Sequence, residues 1–237
     1  HRTTLALLTG RATQMIRNQQ AIDALTSEVA DWVRNTAHPN EDRVADLNEV
    51  PRDIVSDMAA RGFFGWSIPE VYGGRGLTTE ELILGALELS QCAVAYRARV
   101  GTNTGIGSEA LVADGTEAQK AKYLPRVATG EITGCFALTE ENAGSDATAI
   151  ETTARRDGEN YILNGKKIYI TNAPIAGLFT VMARTDPDAP GTRGITAFLL
   201  ERGKSYRMRE RSRMNRNEVH YLDHPMLGVF ATLTRVH

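Results

Sequence analysis

Hydrophobic periodicity changes character once along this chain, near residue 130, and that change restricts the possible folds more than any other feature of the sequence. Before it, apolar residues recur at helical steps: Ile22, Leu25, Val29, Trp32 and Val33 share one face of an amphipathic helix expected to end before Pro39. A second helix is predicted to open at Pro51, bury Ile54, Val55, Met58 and Ala59, and stop at Gly62. Thr78 with Glu81, and Thr116 with Gln119, form capping boxes. The first precedes "LILGALELSQCAVAY", whose apolar residues surround the helix and predict a central, buried element. The second precedes "AKYLPRVATGE", a short helix limited by Pro125.

From Ile132 the pattern is that of strands. "TTARRDGENYILNGKKIYIT" holds Asp157-Gly158 and Asn164-Gly165, both favoured type I′ hairpin dipeptides, and "LFTVMARTD" and "GITAFLLER" supply two more strands separated by "PDAPGT". Helices first and antiparallel strands afterwards predict an α+β protein in two parts. These are an all-α helical domain over 1–130 and an antiparallel β domain over 131–237 with an arginine-rich tail. A doubly wound sheet is disfavoured, as are the nucleotide-binding loops that go with it. "GTNTGIG" follows no strand, no G-x-x-x-x-G-K-[ST] occurs, and its glycines are expected to loosen a loop or allow close helix contact.

Composition removes several function classes. Lys plus Arg (27) nearly balance Asp plus Glu (29), so the chain lacks the basic field that a nucleic acid partner requires. No apolar run reaches the roughly 18 residues of a membrane span. Cys92 and Cys135 sit in no zinc-like cluster, which points to a reducing compartment, and Cys135 reads as a buried, inert thiol. His220 and His224 have i, i+4 spacing, but Pro225 follows and no carboxylate completes a motif, so surface histidines are expected and no metal site. The first 22 residues carry Arg2, Arg11 and Arg17 and no acid, as transit peptides do, although an ordinary first helix is the favoured expectation.

One stretch fits neither helix nor strand. "ALTEENAGSDATA", Ala137 to Ala149, follows directly on the apolar "ITGCFAL" and places hydroxyls, a glycine and carboxylates at a strand exit. Such an exit can present backbone N–H groups and hydroxyls to a phosphate or to a flat heteroaromatic ring with polar edges. Local evidence alone favours a capped turn in which Ser145 and Asp146 bond their own backbone.

"FALTEENAGSDATA" resembles the signature of the acyl-CoA dehydrogenase family, Phe/Tyr-x-Leu-Thr-Glu followed by a small residue and Gly-Ser-Asp. "GFFGWSIPEVYGGRGL", "GTEAQKAKYLPRVATGE" and "YILNGKKIYITNA" resemble further family segments in the same order, so the likeness covers roughly residues 20 to 202. It implies FAD as cofactor. Phe136, Leu138 and Thr139 would border the isoalloxazine, with the Thr139 hydroxyl and nearby N–H groups on its pyrimidine edge. Gly144 and Ser145 would meet the pyrophosphate or the acyl-CoA, Tyr169 would pack on the ring, and the Thr171 hydroxyl would reach N5. The activity implied is α,β-dehydrogenation of an acyl-CoA thioester in fatty acid metabolism. An electron-transfer flavoprotein would be the acceptor, the protein a homo- or hetero-oligomer (a homotetramer in relatives), and the location the bacterial cytoplasm or mitochondrial matrix.

In the family the base that removes the α-proton is a glutamate on a C-terminal helical domain, and no residue of this chain is assigned that role. The chain is therefore expected to be part of a longer protein, to need a partner subunit or to lack catalysis. Alternatives are a non-catalytic partner in a heteromeric assembly, or a flavin oxidase or reduced-flavin monooxygenase of the same fold. The segment after residue 202 lacks the family's Met-Gly-x-Arg-Gly pattern. Its alternating Arg207, Arg209, Arg211 and Arg213 could face a CoA phosphate, but a solvated sheet edge is favoured.

Overall fold

Asn18 accepts a hydrogen bond from the Ala21 N–H at 3.1 Å and so starts helix α1, Gln19–Trp32, which buries Ile22, Leu25, Val29 and Trp32. In this computed structural model the described residues are 16–158 and 160–202, with 207–212 and 227–232 described as backbone strands. The acid-free leader up to residue 15, His220, His224 and Arg213 lie outside them. The chain divides into two compact units, residues 1–131 and 132–237.

In the first unit the regular α-helix ends at Trp32, and the chain coils on through a π turn, Val33–Ala37, and a 3-10 turn, His38–Asn40. Pro39 opens that turn, where its missing N–H forfeits little. Helix α2 (Glu41–Leu47) and helix α3 (Arg52–Ala60) follow, α3 with Pro51 at its N-cap and Gly62 in the left-handed region just past its end. The aromatic segment after it is folded into the core: Phe63, Phe64, Trp66 and Ile68 are all buried. Trp32 meets Phe63 and Tyr96 edge-on, each at 5.4 Å, while its indole N–H donates to Asp57 at 2.6 Å.

The stretch expected to form one buried helix forms two. Helix α4 (Thr79–Leu89), opened by the Thr78/Glu81 capping box, and helix α5 (Val94–Thr104) are separated by a turn. Only one face of α4 is buried. Gly85 lets it press against the Trp66 ring, whereas Ile83 and Leu87 are 53% and 56% exposed. All-round apolarity had signalled burial, but a helix at the margin of its unit carries part of it outward. Helix α6 (Glu109–Asp114) precedes helix α7 (Glu117–Ala128), which runs on through Pro125 instead of stopping there. A proline in the last turn forfeits one hydrogen bond and leaves room to finish. Glu81 is buried beneath Arg17, whose Nη2 lies 2.9 Å away. Burial pushes this carboxyl up, but hydrogen bonds from Arg17 and from the Thr78 and Arg17 N–H groups outweigh it and bring it to about 2.

The second unit contains strands β1 (Gly134–Ala137), β2 (Thr153–Asp157), β3 (Asn160–Lys167), β4 (Leu178–Arg184), β5 (Ile195–Glu201), β6 (Arg207–Ser212) and β7 (Leu227–Thr232). They form one seven-stranded sheet ordered β1-β4-β2-β3-β7-β6, with β5 also paired to β4. The sheet is mixed, which corrects the antiparallel expectation. β1 runs parallel to β4 from Gly134↔Leu178 to Ala137↔Val181, and β2 meets β4 in parallel at Thr153↔Arg184. Hairpin dipeptides report only strands adjacent in sequence; the β1/β4 pairing spans a long loop and a hairpin and leaves no local mark. Among the described residues β6 pairs only with β7, at the sheet's end.

Neither expected hairpin dipeptide forms the centre of a turn. Asp157 is still strand, paired with Asn160, and the turn begins at Gly158 with φ 63°. Asn164-Gly165 is no turn at all but lies inside β3. A Cβ on Gly165 would stand 2.2 Å from the Thr152 hydroxyl and 2.6 Å from its Cα, so the glycine lets residue 152 lie directly against the strand. Gly165→Ala is expected to destabilise the protein by about 1–3 kcal/mol, seen as a lowered Tm by circular dichroism. An unchanged Tm would show that the contact is not tight.

Candidate functional site

The long connection from β1 to β2, residues 138–152, is organised by one buried carboxylate. Glu140 and Lys167 are 6% and 5% exposed at their side chains and pair at 2.6 Å. Lys167 Nζ also donates to the Leu138 carbonyl at 3.0 Å. On the other side, the Glu140 carboxylate accepts the Glu151 N–H at 2.5 Å and the Thr152 N–H at 3.0 Å. One side chain therefore joins the start of the loop, its end and the last residue of β3. The Glu140 and Ala143 backbones bond each other reciprocally, at 3.0 and 3.2 Å, closing a tight turn within the loop.

The electrostatics follow from this bonding. Burial alone would raise the Glu140 pKa, but the Lys167 ammonium, the Thr152 contact and the two N–H donors outweigh it and hold the carboxyl below its usual range. Burial pulls Lys167 below the usual lysine value more than Glu140 raises it. A carboxylate so engaged is structural; its oxygens are occupied by donors of the chain itself.

Two strand exits then lie side by side. Past Lys167, the Ile168 N–H donates to the Thr139 carbonyl at 2.9 Å, so the end of "FALTE" is locked to the start of "IYITN". Phe136, Leu138, Thr139 and Thr171 are half-buried, whereas Gly144 and Ser145 are exposed at the loop tip. Tyr169 is 60% exposed and adopts φ 56°. The segment after it is pinned from behind: the Arg202 guanidinium donates to the Ala176 and Ala173 carbonyls, each at 2.7 Å, and lies over the Phe179 ring. Thr139 and Ile168 are thus in direct contact; Tyr169 and Thr171 belong to the same excursion, and Gly144 and Ser145 to the opposite loop.

The expected capped turn forms in part. Asp146 accepts from the Thr148 N–H at 2.9 Å and the Thr148 hydroxyl at 2.6 Å, and so caps the 3-10 turn Ala147–Ala149. Ser145 does not share in that cap and remains exposed. At Gly144 a Cβ would meet nothing within 4 Å, and the backbone is not left-handed, so neither packing nor conformation within the chain explains the glycine. An outside group approaching the backbone would explain it. Asn172 nearby has a buried Nδ2 with no hydrogen-bond partner among the described residues.

Three contributors escaped the sequence reading. Lys167 carried a signal: it shares the β3 face of buried Leu163, and a lysine on a buried strand face calls for a carboxylate. Glu140 stood in the motif but looked like turn polarity, and Thr152 becomes visible only once Gly165 is seen in the strand. Cys135 is buried, and burial raises its thiol to about 12 despite Arg202, consistent with an inert side chain. Among the described residues no group of three or more metal-ligating side chains gathers.

Two family models match the chain, "Acyl-CoA dehydrogenase, N-terminal domain" over residues 19–131 and "Acyl-CoA dehydrogenase, middle domain" over residues 135–221. An acyl-CoA dehydrogenase of Bacillus subtilis is 37% identical over 174 residues, 73% of this chain and 46% of the relative. A 3-(aryl)acrylate reductase of Clostridium sporogenes is 42% identical over 172 residues, 72% of this chain and 45% of the relative. The chain thus spans about half the length of the curated relatives it matches. The crystal structure of an acyl-CoA dehydrogenase from Bacillus anthracis complexed with FAD superposes with a TM-score of 0.78 at 29% identity, over 92% of this chain and 36% of the other.

Breaking the buried pair from either side is expected to be costly. Lys167→Met or Glu140→Gln alone leaves a buried charge uncompensated, a loss of about 3–5 kcal/mol in chemical denaturation, and the double variant should lose less than the two together. Additive losses would show that the two groups do not act as a pair. Because the folded Glu140 carboxyl lies below its ordinary value of 4.5, its stabilisation is complete above that pH and fades as the pH falls through the lowered value. The Glu140→Gln variant should lack this part of the acid sensitivity when melting is followed against pH.

Proposed function

The chain belongs to the acyl-CoA dehydrogenase family, and on that premise we propose that its sheet unit holds FAD for α,β-dehydrogenation of an acyl-CoA thioester. FAD, when bound, supplies the acceptor of the hydride that leaves the β-carbon. The chain's own part is to bind, orient and hydrogen-bond. Thr139 and the backbone around it take the pyrimidine edge of the ring, with Phe136 and Leu138 bordering it. Tyr169, already exposed, covers the ring, and the Thr171 hydroxyl donates toward N5. Gly144 and Ser145, at the open loop tip, take the pyrophosphate or the thioester's CoA. Donors fixed in advance favour charge developing on the ring more than mobile ones would.

The observation that carries this proposal is the bond from the Ile168 N–H to the Thr139 carbonyl. It brings the two signature stretches together as one edge, held by Glu140 and Lys167 beneath. Removal of the α-proton needs a carboxylate free to accept it. Glu140 does not qualify, because Lys167 and two backbone N–H groups already occupy it. In keeping with the family resemblance, the base is proposed to come from outside the described residues. An electron-transfer flavoprotein as acceptor, an oligomeric state, and a bacterial cytoplasmic or mitochondrial matrix location belong to the same proposal. A second reading follows from the Clostridium relative, whose name assigns it reduction of a 3-(aryl)acrylate. In that reading the same residues would hold the cofactor for reduction of a conjugated double bond.

The test is the visible spectrum of the protein after incubation with FAD and removal of the excess. Retained flavin bands are expected. Gly144→Ala, whose Cβ would meet nothing within 4 Å, should keep its unfolding free energy within about 0.5 kcal/mol of the wild type while weakening retention. Thr171→Ala should raise the Kd for FAD about fivefold or more. A wild-type protein that retains no flavin would contradict the proposal.

A further inference from the structure

Helices α4 and α5 hold between them a groove of about 210 Å³ in the first unit, away from every residue discussed so far as a site. Trp66, Leu82, Ile83, Leu89 and Val100 make its walls apolar, and among the described residues Arg97 is the one charged residue that lines it. An apolar cavity with a single well-placed polar group is the usual form of a small-ligand site, the polar group fixing the ligand's orientation.

Two facts separate Arg97 from an ordinary surface arginine. Arg17, Arg43, Arg61, Arg75 and Arg126 of the same unit each meet a carboxylate, whereas Arg97 has no ion pair and no hydrogen bond among the described residues. The residue is exposed, yet its guanidinium does not project away from the helix: a Cβ built on Gly101 would stand 2.6 Å from Nη1 and 3.2 Å from Cζ. The head group therefore lies back along α5 over Gly101, which itself lines the groove. Gly101 is inside α5 and not left-handed, so its backbone does not require glycine, and glycine there costs helix stability relative to alanine. What the glycine provides is the space that the guanidinium fills.

We propose that Arg97 selects the acyl group: the groove takes the hydrocarbon part of an acyl thioester that carries a second, distal carboxylate, and the guanidinium binds that carboxylate. The inference rests on the thioester reading above and names its substrate class. Charge complementarity decides the class. A plain alkyl chain would satisfy the apolar walls but leave the cation without a partner in a cavity emptied of water. A phosphate would meet the cation and gain nothing from Leu82, Leu89 or Val100. A carboxylate on a short hydrocarbon chain does both, and its two oxygens match the fork of a guanidinium.

Trp66 borders the groove, so the tryptophan fluorescence of the full chain reports its filling. The probes are hexanoyl-CoA and adipoyl-CoA, equal in chain length and different only in the terminal carboxylate. The wild-type protein is expected to bind adipoyl-CoA about tenfold more tightly than hexanoyl-CoA. In Arg97→Gln the two affinities should fall within about twofold of each other. Gly101→Ala keeps the charge but displaces the guanidinium; it should lose most of the preference while its Tm stays at or above the wild-type value. Equal affinity for the two thioesters in the wild type, or a preference that survives Arg97→Gln, would overturn the inference and leave the thioester reading standing. A wild-type protein that binds neither thioester would overturn both.

Discussion

The Glu140–Lys167 ion pair is the constraint on which the site depends. Two charges withdrawn from water stabilise a fold only when their geometry is close and their remaining bonding capacity is filled. Here the distance is 2.6 Å, the ammonium also reaches the Leu138 carbonyl, and the carboxylate takes the N–H groups of Glu151 and Thr152. A loop of polar, turn-forming residues has little apolar surface with which to fix itself. The pair fixes it at both ends and ties it to β3, so that Thr139 meets Ile168 in one register. Gly165 is part of the same device, because only a residue without a side chain lets Thr152 lie against β3 while its N–H reaches Glu140.

This arrangement explains why a site can stand at a strand exit that is neither helix nor strand. The backbone of Leu138 and Thr139 is held from beneath by Lys167 and from the side by Ile168, and the Thr139 side chain is left half-buried. Arg202 gives the 170–177 segment the same support, using a guanidinium where the first loop uses an ammonium and a carboxylate. Rigid support behind and small or polar residues in front is what precise binding requires, since a site loose by an ångström loses much of its advantage.

Much of the architecture was legible in the sequence. The helical first half, both capping boxes, the Pro51 start, the strand-rich second half and the family signature are all local patterns, and local chemistry decided them. The misreadings share one physical cause, dependence on residues distant in sequence. The parallel pairing of β1 with β4, the mid-strand role of Gly165 and the half-exposed face of α4 are each set by neighbours that no short window contains. The same holds in the site. Thr139, Gly144, Ser145, Tyr169 and Thr171 are named through the family resemblance, whereas Glu140 and Lys167 are 27 residues apart and declare their purpose only once paired.

Backbone amide hydrogen exchange, compared with and without FAD, tests the central claim most directly. If the edge held by Glu140 and Lys167 is where FAD binds, protection should rise on adding FAD in the segments 136–146 and 168–173. At the end of the return, the Glu151 and Thr152 N–H groups already bond Glu140 and should change little. Bound FAD with no added protection in those two segments, or with protection concentrated elsewhere, would contradict the account.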